Sequence, residues 1–188
     1  MQLSKIQGHP HLIKYYGYFF QETMYNAYRL GIIMEYIPPE KNLEYILKRR
    51  QQKKMAWNET DLMEIFKGYI TALAYLQKRG ICHRDLKPAN LFLIDHIMKI
   101  IDFGESKDHF EEDDSNDNLA TIRGTPQYLS PILWKAHLME NISIRKIKHN
   151  IYKSDVFSSG LVFYQIASLK DVTGFNQNNH VNNGEYLI

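Results

Sequence analysis

Thiol chemistry is nearly absent from this chain: its single cysteine, Cys82, excludes an intramolecular disulfide. A lone thiol fits a reducing, intracellular compartment. Cys82 reads as a plain buried group, with a reactive thiol as the alternative. Long apolar runs are missing too, since stretches such as Leu161 to Tyr164 are far too short to cross a bilayer. The opening residues Met1-Gln2-Leu3-Ser4-Lys5 lack the apolar centre of a signal peptide, so a cytoplasmic protein is expected. Charge of one sign is not in excess. A formal net charge of +2 gives no strong pull toward nucleic acid or membrane, and neither is expected as a partner. Ten glycines are present, yet no two are spaced as Gly-x-Gly. No internal repeat is visible.

What remains is an ordinary globular composition, 188 residues with 44% hydrophobic side chains, long enough for one domain or two. Residues 1–14 start at helical spacing, with Leu3 and Ile6, and are broken by Gly8-His9-Pro10. Aromatic and branched residues predict strands over 12–20 and 28–37, the second largely buried at Ile32-Ile33-Met34 and stopped by Pro38-Pro39. Leu43, Ile46 and Leu47 predict a short helix. Its basic end, Lys48-Arg49-Arg50 continuing to Lys53-Lys54, reads as a solvated face, with a docking patch as the alternative.

The clearest helix spans 61–79. Leu62, Ile65, Phe66, Tyr69, Ile70, Leu73 and Leu76 share one face, Asn58 can cap it and Gly80 can stop it. Further on, 91–94 and 98–101 flank the turn-prone pair Asp95-His96 and predict a hairpin. Residues 105–123 are polar, with the acidic cluster Glu111-Glu112-Asp113-Asp114, and read as a flexible loop. A second basic, irregular stretch runs from Arg145 to His149. A last apolar helix opens at Asp155, with Ser154 as a plausible cap, and reaches about Leu169. The Asn-rich stretch 171–188 has no periodicity and is expected to be loop or disorder.

Two segments carry chemistry: His83-Arg84-Asp85-Leu86-Lys87-Pro88-Ala89-Asn90, and Asp102-Phe103-Gly104. An aspartate and an asparagine share one short loop, and a second aspartate follows a short strand. The hairpin puts Asn90 at the start of one strand and Asp102 just past the end of the other. Such a set can hold a divalent metal and a phosphoryl group around one nucleophile. The segment Gly124-Thr125-Pro126-Gln127-Tyr128-Leu129-Ser130-Pro131 follows, and then Asp155-Val156-Phe157-Ser158-Ser159-Gly160. In this order and at these spacings the chain resembles a eukaryotic-type serine/threonine protein kinase domain.

The resemblance implies an α+β fold: the last strands of the small lobe and the hinge in 1–37, and a helical large lobe with a small catalytic hairpin in 38–170. It implies ATP and Mg2+ as cofactors and a protein substrate with a Ser or Thr acceptor. Asp85 would accept or orient the proton of the hydroxyl. Lys87 would face the transferred phosphate, Thr125 would bond both and shape the substrate floor, and Asn90 and Asp102 would bind metal. Met34, Glu35, Tyr36, Ile37 and Phe92 would surround ATP, although core packing is the rival reading of Met34 and Tyr36. His83 would pack beneath the loop on Phe103, next to Gly104, while Asp155 holds the loop backbone. Thr121 would receive an activating phosphate from an upstream kinase and pair with Arg84 and Lys107. The rival is that Glu111 to Asp114 satisfies Arg84 unmodified.

The pattern also has gaps. The Gly-x-Gly loop is missing, and neither Lys5 nor Lys14 sits in an Ala-x-Lys strand, so a kinase domain truncated at both ends is expected. Ile132 stands where the family has the glutamate that fastens the activation segment, and Ser159 replaces a usual leucine, a modest loss of packing. Two functions follow: a protein kinase whose chain is weakly active alone, or a non-catalytic kinase-like module that binds partners. A small-molecule kinase fits 125–131 less well, because that segment resembles a peptide platform.

Overall fold

The structure, a computed structural model, describes residues 2–24, 27–108, 119–138 and 146–177. The acidic cluster Glu111 to Asp114, Arg145 and the tail beyond 177 lie outside them. Among the described residues every sheet has two strands. The first is an antiparallel ribbon of β1 (Tyr15–Glu22) and β2 (Tyr28–Met34), with Tyr18 opposite Ile32 and Phe20 opposite Leu30. Its ladder starts three residues later than the 12–20 pattern predicts, for a physical reason. Leu12 bridges Ile100, and the Ile13 N–H donates to the Ile100 carbonyl at 3.0 Å, so that stretch of backbone is spent on another strand. The second strand also departs from expectation: Ile32 and Ile33 are 44% and 48% exposed, because no layer of the described chain covers the ribbon.

α1 (Leu43–Gln52) is capped by Asn42, whose side chain accepts from the N–H groups of Glu44 and Tyr45. α2 (Glu59–Lys78) is capped by Asn58, which accepts from the Asp61 N–H at 2.7 Å, and is followed by Gly80 at φ +73°. Its buried face centres on Ile65, Tyr69, Ala72 and Leu76. Ile70, placed on that face by the sequence, is 52% exposed. At 3.6 residues per turn it stands about 140° around the axis from Ile65, beyond the reach of a single buried stripe.

β3 (Ile81–Cys82) carries the chain into the catalytic loop and pairs with β6 (Lys107–Asp108). Between them β4 (Leu91–Ile94) and β5 (Ile97–Ile100) form the expected hairpin. Asp95 and His96 take φ of +47° and +63°, the two left-handed residues that a tight two-residue turn requires. β7 (Leu119–Thr121) pairs with β8 (Lys146–Lys148), and α3 (Pro131–Leu138) lies between them.

α4 (Ile151–Ser168) begins before Asp155, because Asn150 and not Ser154 caps it: the Asn150 side chain accepts from the Lys153 N–H at 3.0 Å. Phe163 stacks on Phe66 at 4.1 Å and meets Tyr69 edge-on, which joins α4 to α2. Ser159 is more than lost packing. It shares a hydrogen bond of 3.2 Å with the buried Tyr69 hydroxyl, whose ionisation burial suppresses. Residues 171–177 are loop, yet packed loop, with Val172 and Asn176 fully buried. None of the described helices is long and apolar enough to cross a membrane.

Candidate active site

The catalytic loop is held from below before any reactive group is placed. Asp155 on α4 accepts from the His83 N–H at 2.8 Å and from the Arg84 N–H at 2.9 Å, one oxygen to each. Complete burial pushes its carboxyl up, while His83 and these two backbone donors pull the other way. The His83 ring fixes the loop on both sides. Its Nε2 meets the Ile101 carbonyl at 2.8 Å, and its Nδ1 accepts from the Asp85 N–H at 3.3 Å, which makes Nε2 the protonated nitrogen. The same ring lies edge-on to Phe103 at 5.0 Å. With the loop so constrained, Arg84 adopts φ +65°, a conformation a bulky side chain rarely takes.

Asp85 is the centre of the site. One carboxylate oxygen accepts from the Thr125 N–H at 2.9 Å and hydroxyl at 2.8 Å. The other takes Lys87 Nζ at 2.8 Å and Asn90 Nδ2 at 3.0 Å. Lys87 also reaches the Thr125 hydroxyl at 2.6 Å, which closes a triangle of acid, base and hydroxyl. Burial opposes the charge on Asp85, but hydrogen bonds from Lys87, Thr125 and Asn90 outweigh it and hold the carboxyl below its ordinary value. Asp85 is therefore an ionised carboxylate with modest basicity.

The metal-ligand candidates are joined through the backbone: Leu91 faces Ile100, and the Ile101 N–H donates to the Asn90 carbonyl at 3.0 Å. Asn90 gives its amide nitrogen to Asp85 as well as to the Asp85 carbonyl, which turns its side-chain oxygen away from the acid. Asp102 is exposed, sits at φ +59° and accepts from the Gly104 N–H at 3.2 Å. Two hard oxygen donors fit Mg2+, which takes only one or two carboxylate-type ligands from protein when phosphate supplies others. The described residues contain no group of three His, Cys, Asp or Glu able to cage a metal by themselves.

At the hinge, Met34 and Tyr36 are 42% and 82% exposed, so neither is a core residue. The Glu35 N–H is spent on the Lys14 carbonyl at 2.9 Å. The backbone of Tyr36 and Ile37 makes no hydrogen bond among the described residues, which leaves it able to meet a flat heterocycle edge. Phe92 lies on β4, bridged through its backbone to Asn42.

Around Thr121, Arg84 donates to the Thr121 hydroxyl at 3.2 Å and, through Nε, to the Glu105 carbonyl at 2.6 Å. Arg123 pairs with the Glu105 carboxylate at 3.4 Å. Burial lowers the Arg84 pKa and the nearby Arg123 lowers it further, with Glu105 opposing. Lys107 lies on β6 opposite Cys82. Burial drives the Cys82 thiol strongly up, so it is the plain buried thiol of the two readings.

Two contributors escape a reading of motifs. Glu35, expected only as a hinge residue, forms a largely buried pair with Lys99 at 2.8 Å and accepts from the Lys14 N–H at 2.9 Å. Asn42 caps α1 with its oxygen and uses its amide nitrogen on the Ala89 carbonyl at 2.8 Å, tying that helix to the catalytic loop. An asparagine ahead of an apolar run signals the first role, while nothing local signals the second. An open groove of about 470 Å³ runs beside Lys87 and Thr125, bounded by Glu44, Gln127, Gln165 and Asp171.

Comparison with known proteins gives the family. The chain is 34% identical over 171 residues to "Serine/threonine-protein kinase Nek8" of Danio rerio, covering 90% of this chain and 21% of that protein. It is 35% identical over 176 residues to "Probable serine/threonine-protein kinase nek3" of Dictyostelium discoideum, again 90% of this chain and 14% of the relative. A more distant match, 28% over 157 residues, is "Serine/threonine-protein kinase KIN4" of Saccharomyces cerevisiae. The chain thus spans about a fifth or less of the length of the first two relatives. The protein kinase domain family model matches residues 1–186, nearly the whole sequence, and the chain belongs to that family.

Proposed function

We propose that the chain supplies the catalytic floor for transfer of the γ-phosphate of ATP to a Ser or Thr hydroxyl of a protein. The observation that carries this reading is the Asp85–Lys87–Thr125–Asn90 cluster, in which four donor groups converge on one carboxylate. Residues 1–37 contribute to the small lobe and 38–170 form the large lobe. An intracellular site goes with the reading, since ATP and a reduced thiol are both found there.

In the proposed reaction the acceptor oxygen bonds to the γ-phosphorus as the bond to the β-phosphate oxygen breaks and ADP leaves. The hydroxyl proton passes to Asp85. Its depressed basicity suits orientation first and proton acceptance late, when attack has already acidified the hydroxyl. Lys87 offsets charge on the transferred group. Asn90 and Asp102 would hold Mg2+, which neutralises phosphate charge. The backbone of Tyr36 and Ile37 would meet the adenine edge, with Met34 and Phe92 beside it. Thr121 would carry an activating phosphate added by an upstream kinase: Arg84 already reaches its hydroxyl, and Arg123 lies nearby as a second cation. Lys107 is the further cation expected there.

Because the sequence has no Gly-x-Gly loop and no Ala-x-Lys strand, weak ATP binding and slow transfer are expected of the 188-residue chain. The test is ATP binding by calorimetry with and without Mg2+, followed by phosphate transfer to a generic protein substrate. Binding should depend on Mg2+ and fall with Asp102→Asn, and any transfer should vanish with Asp85→Asn. Binding indifferent to Mg2+ and to Asn90 and Asp102 substitutions, with no transfer, would overturn the reading in favour of a partner-binding module.

A further inference from the structure

The turn that carries Thr125 onto Asp85 is gripped by a stretch of chain that the motifs do not reach. Residues 126–128 form a single tight turn, and its carbonyls have no strand to pair with. Asn176, fully buried, donates through Nδ2 to the Pro126 carbonyl at 2.8 Å and to the Leu129 carbonyl at 3.0 Å. Its side-chain oxygen has no partner among the described residues, so the two donated bonds alone orient the amide. The flipped amide would set oxygen against oxygen.

On the outer side of the turn, Gln127 donates to the Asp171 carboxylate at 2.7 Å and to the Thr173 hydroxyl at 2.9 Å. Phe175 meets Tyr164 edge-on at 4.9 Å, and Val172 is fully buried, so the gripping stretch is itself fastened to α4. From beneath, Ser158 donates to the Tyr128 carbonyl at 2.7 Å, and the Tyr128 hydroxyl donates to Gln165 at 2.7 Å. Ser130 shares a hydrogen bond of 3.0 Å with Ser154 of α4, whereas Ile132, further along, is 41% exposed.

We propose that residues 171–177 form a clasp, with Asn176 as its central positioning residue, that sets the 125–130 platform in register with Asp85. The chain of contact is short. Asn176 holds Pro126 and Leu129, the Tyr128 N–H donates to the Thr125 carbonyl at 2.8 Å, and Thr125 bonds Asp85 through both its N–H and its hydroxyl. Gln127, Tyr128, Gln165 and Asp171 also wall the groove beside Lys87, so the clasp shapes the surface on which a protein substrate would lie. The mechanical part stands on the contacts alone, while the service to a substrate rests on the kinase reading above.

Hydrogen exchange by mass spectrometry on the 188-residue chain tests the mechanical part without any catalysis. Asn176→Leu keeps the volume and removes both donors. It should speed exchange of the 127–130 amides about tenfold, while the interior of α2 stays at its parent rate. Asn176→Asp should behave like the leucine variant at neutral pH. It should regain part of the protection at acid pH, where the protonated acid can again donate one bond; a purely space-filling residue would show no such pH dependence. Equal acceleration throughout α2 and α4, or unchanged exchange at 127–130, would overturn the clasp. If the buried variants fail to fold, Gln127→Met removes the exposed half alone and should give a smaller local acceleration; none would count against the proposal. In transfer assays, Asn176→Leu should raise the KM for a protein substrate several-fold with the KM for ATP little changed. Local loosening in chains that transfer no phosphate and whose ATP binding is indifferent to Mg2+, parent included, would leave the clasp standing and remove the kinase reading.

Discussion

Two antiparallel hairpins of similar composition meet opposite fates in this molecule. In β4–β5, Leu91, Met98 and Ile100 are fully buried, covered by α2 on one side and by residues 11–13 along an edge. In β1–β2, Tyr18, Phe20, Leu30, Ile32 and Ile33 all remain exposed. Both ladders are paired along their length, β1–β2 with one irregularity between Tyr15 and Gly17, so pairing does not decide burial. What differs is whether a second layer lies against the strand face. The covered hairpin carries both metal-ligand candidates, Asn90 and Asp102, at its open end, next to the paired residues Leu91 and Ile100. The uncovered one ends in the hinge, and the two are joined where Lys14 and Glu35 meet Lys99.

The contrast can be pressed hardest in the covered hairpin. Leu91→Ala should cost about 3 kcal/mol in urea unfolding, the usual result of emptying a buried leucine site. Next comes the joint between the hairpins. Lys99→Met leaves Glu35 largely buried without its cation and should cost about 2 kcal/mol, recovered in part by the double variant with Glu35→Gln.

Gly68→Ala tests the close approach of residues 9–13 to α2. A Cβ there would clash with the His11 ring, whose Nδ1 donates to the Met98 carbonyl at 2.8 Å. Displacing the ring should cost about 1 kcal/mol net, although alanine is the better helix former. Smaller and dependent on pH is the contribution of Asp85. Its folded-state pKa lies below the unfolded value of 3.8, so the unfolded chain takes up the proton first as pH falls. The stability gap between parent and Asp85→Asn should be flat above about pH 4 and narrow below it. Smallest of all, Ile33→Thr on the uncovered ribbon should move stability by no more than about 0.5 kcal/mol and should improve solubility. A loss as large as that of Leu91→Ala would show that the ribbon is covered in solution.

Much of the large lobe was legible because its signals are local. The stripe of α2 with its Asn58 cap, the Asp95-His96 turn and the hairpin between the two catalytic segments all follow from neighbours a few residues apart. Within the loop the same holds for Asp85, Lys87 and Asn90, whose close spacing brings them together, whereas Thr125 reaches Asp85 from forty residues onward. Three errors share one origin. Leu12 and Ile13 look like the start of β1, but their hydrogen bonds go to Ile100, some ninety residues onward in this sequence. Ile32 and Ile33 look buried, yet apolar identity names only a preference, and no partner layer meets it. Asn176 lies in a stretch with no periodicity at all, and its burial depends wholly on two carbonyls some fifty residues earlier.

By itself, then, the sequence determined the order of the candidate reactive groups, the helices α1 and α2, most of α4 and the Asp95-His96 turn, because each rests on periodicity, capping or backbone preference over a few residues. Tertiary structure alone decided which strand Leu12 and Ile13 would join, that the ribbon would stay bare on both faces, and that Asn176 would close on the platform of Thr125. Those outcomes depend on long-range partners for hydrogen-bonding groups and apolar faces. A residue's type states the need for a partner, and only the folded chain supplies one.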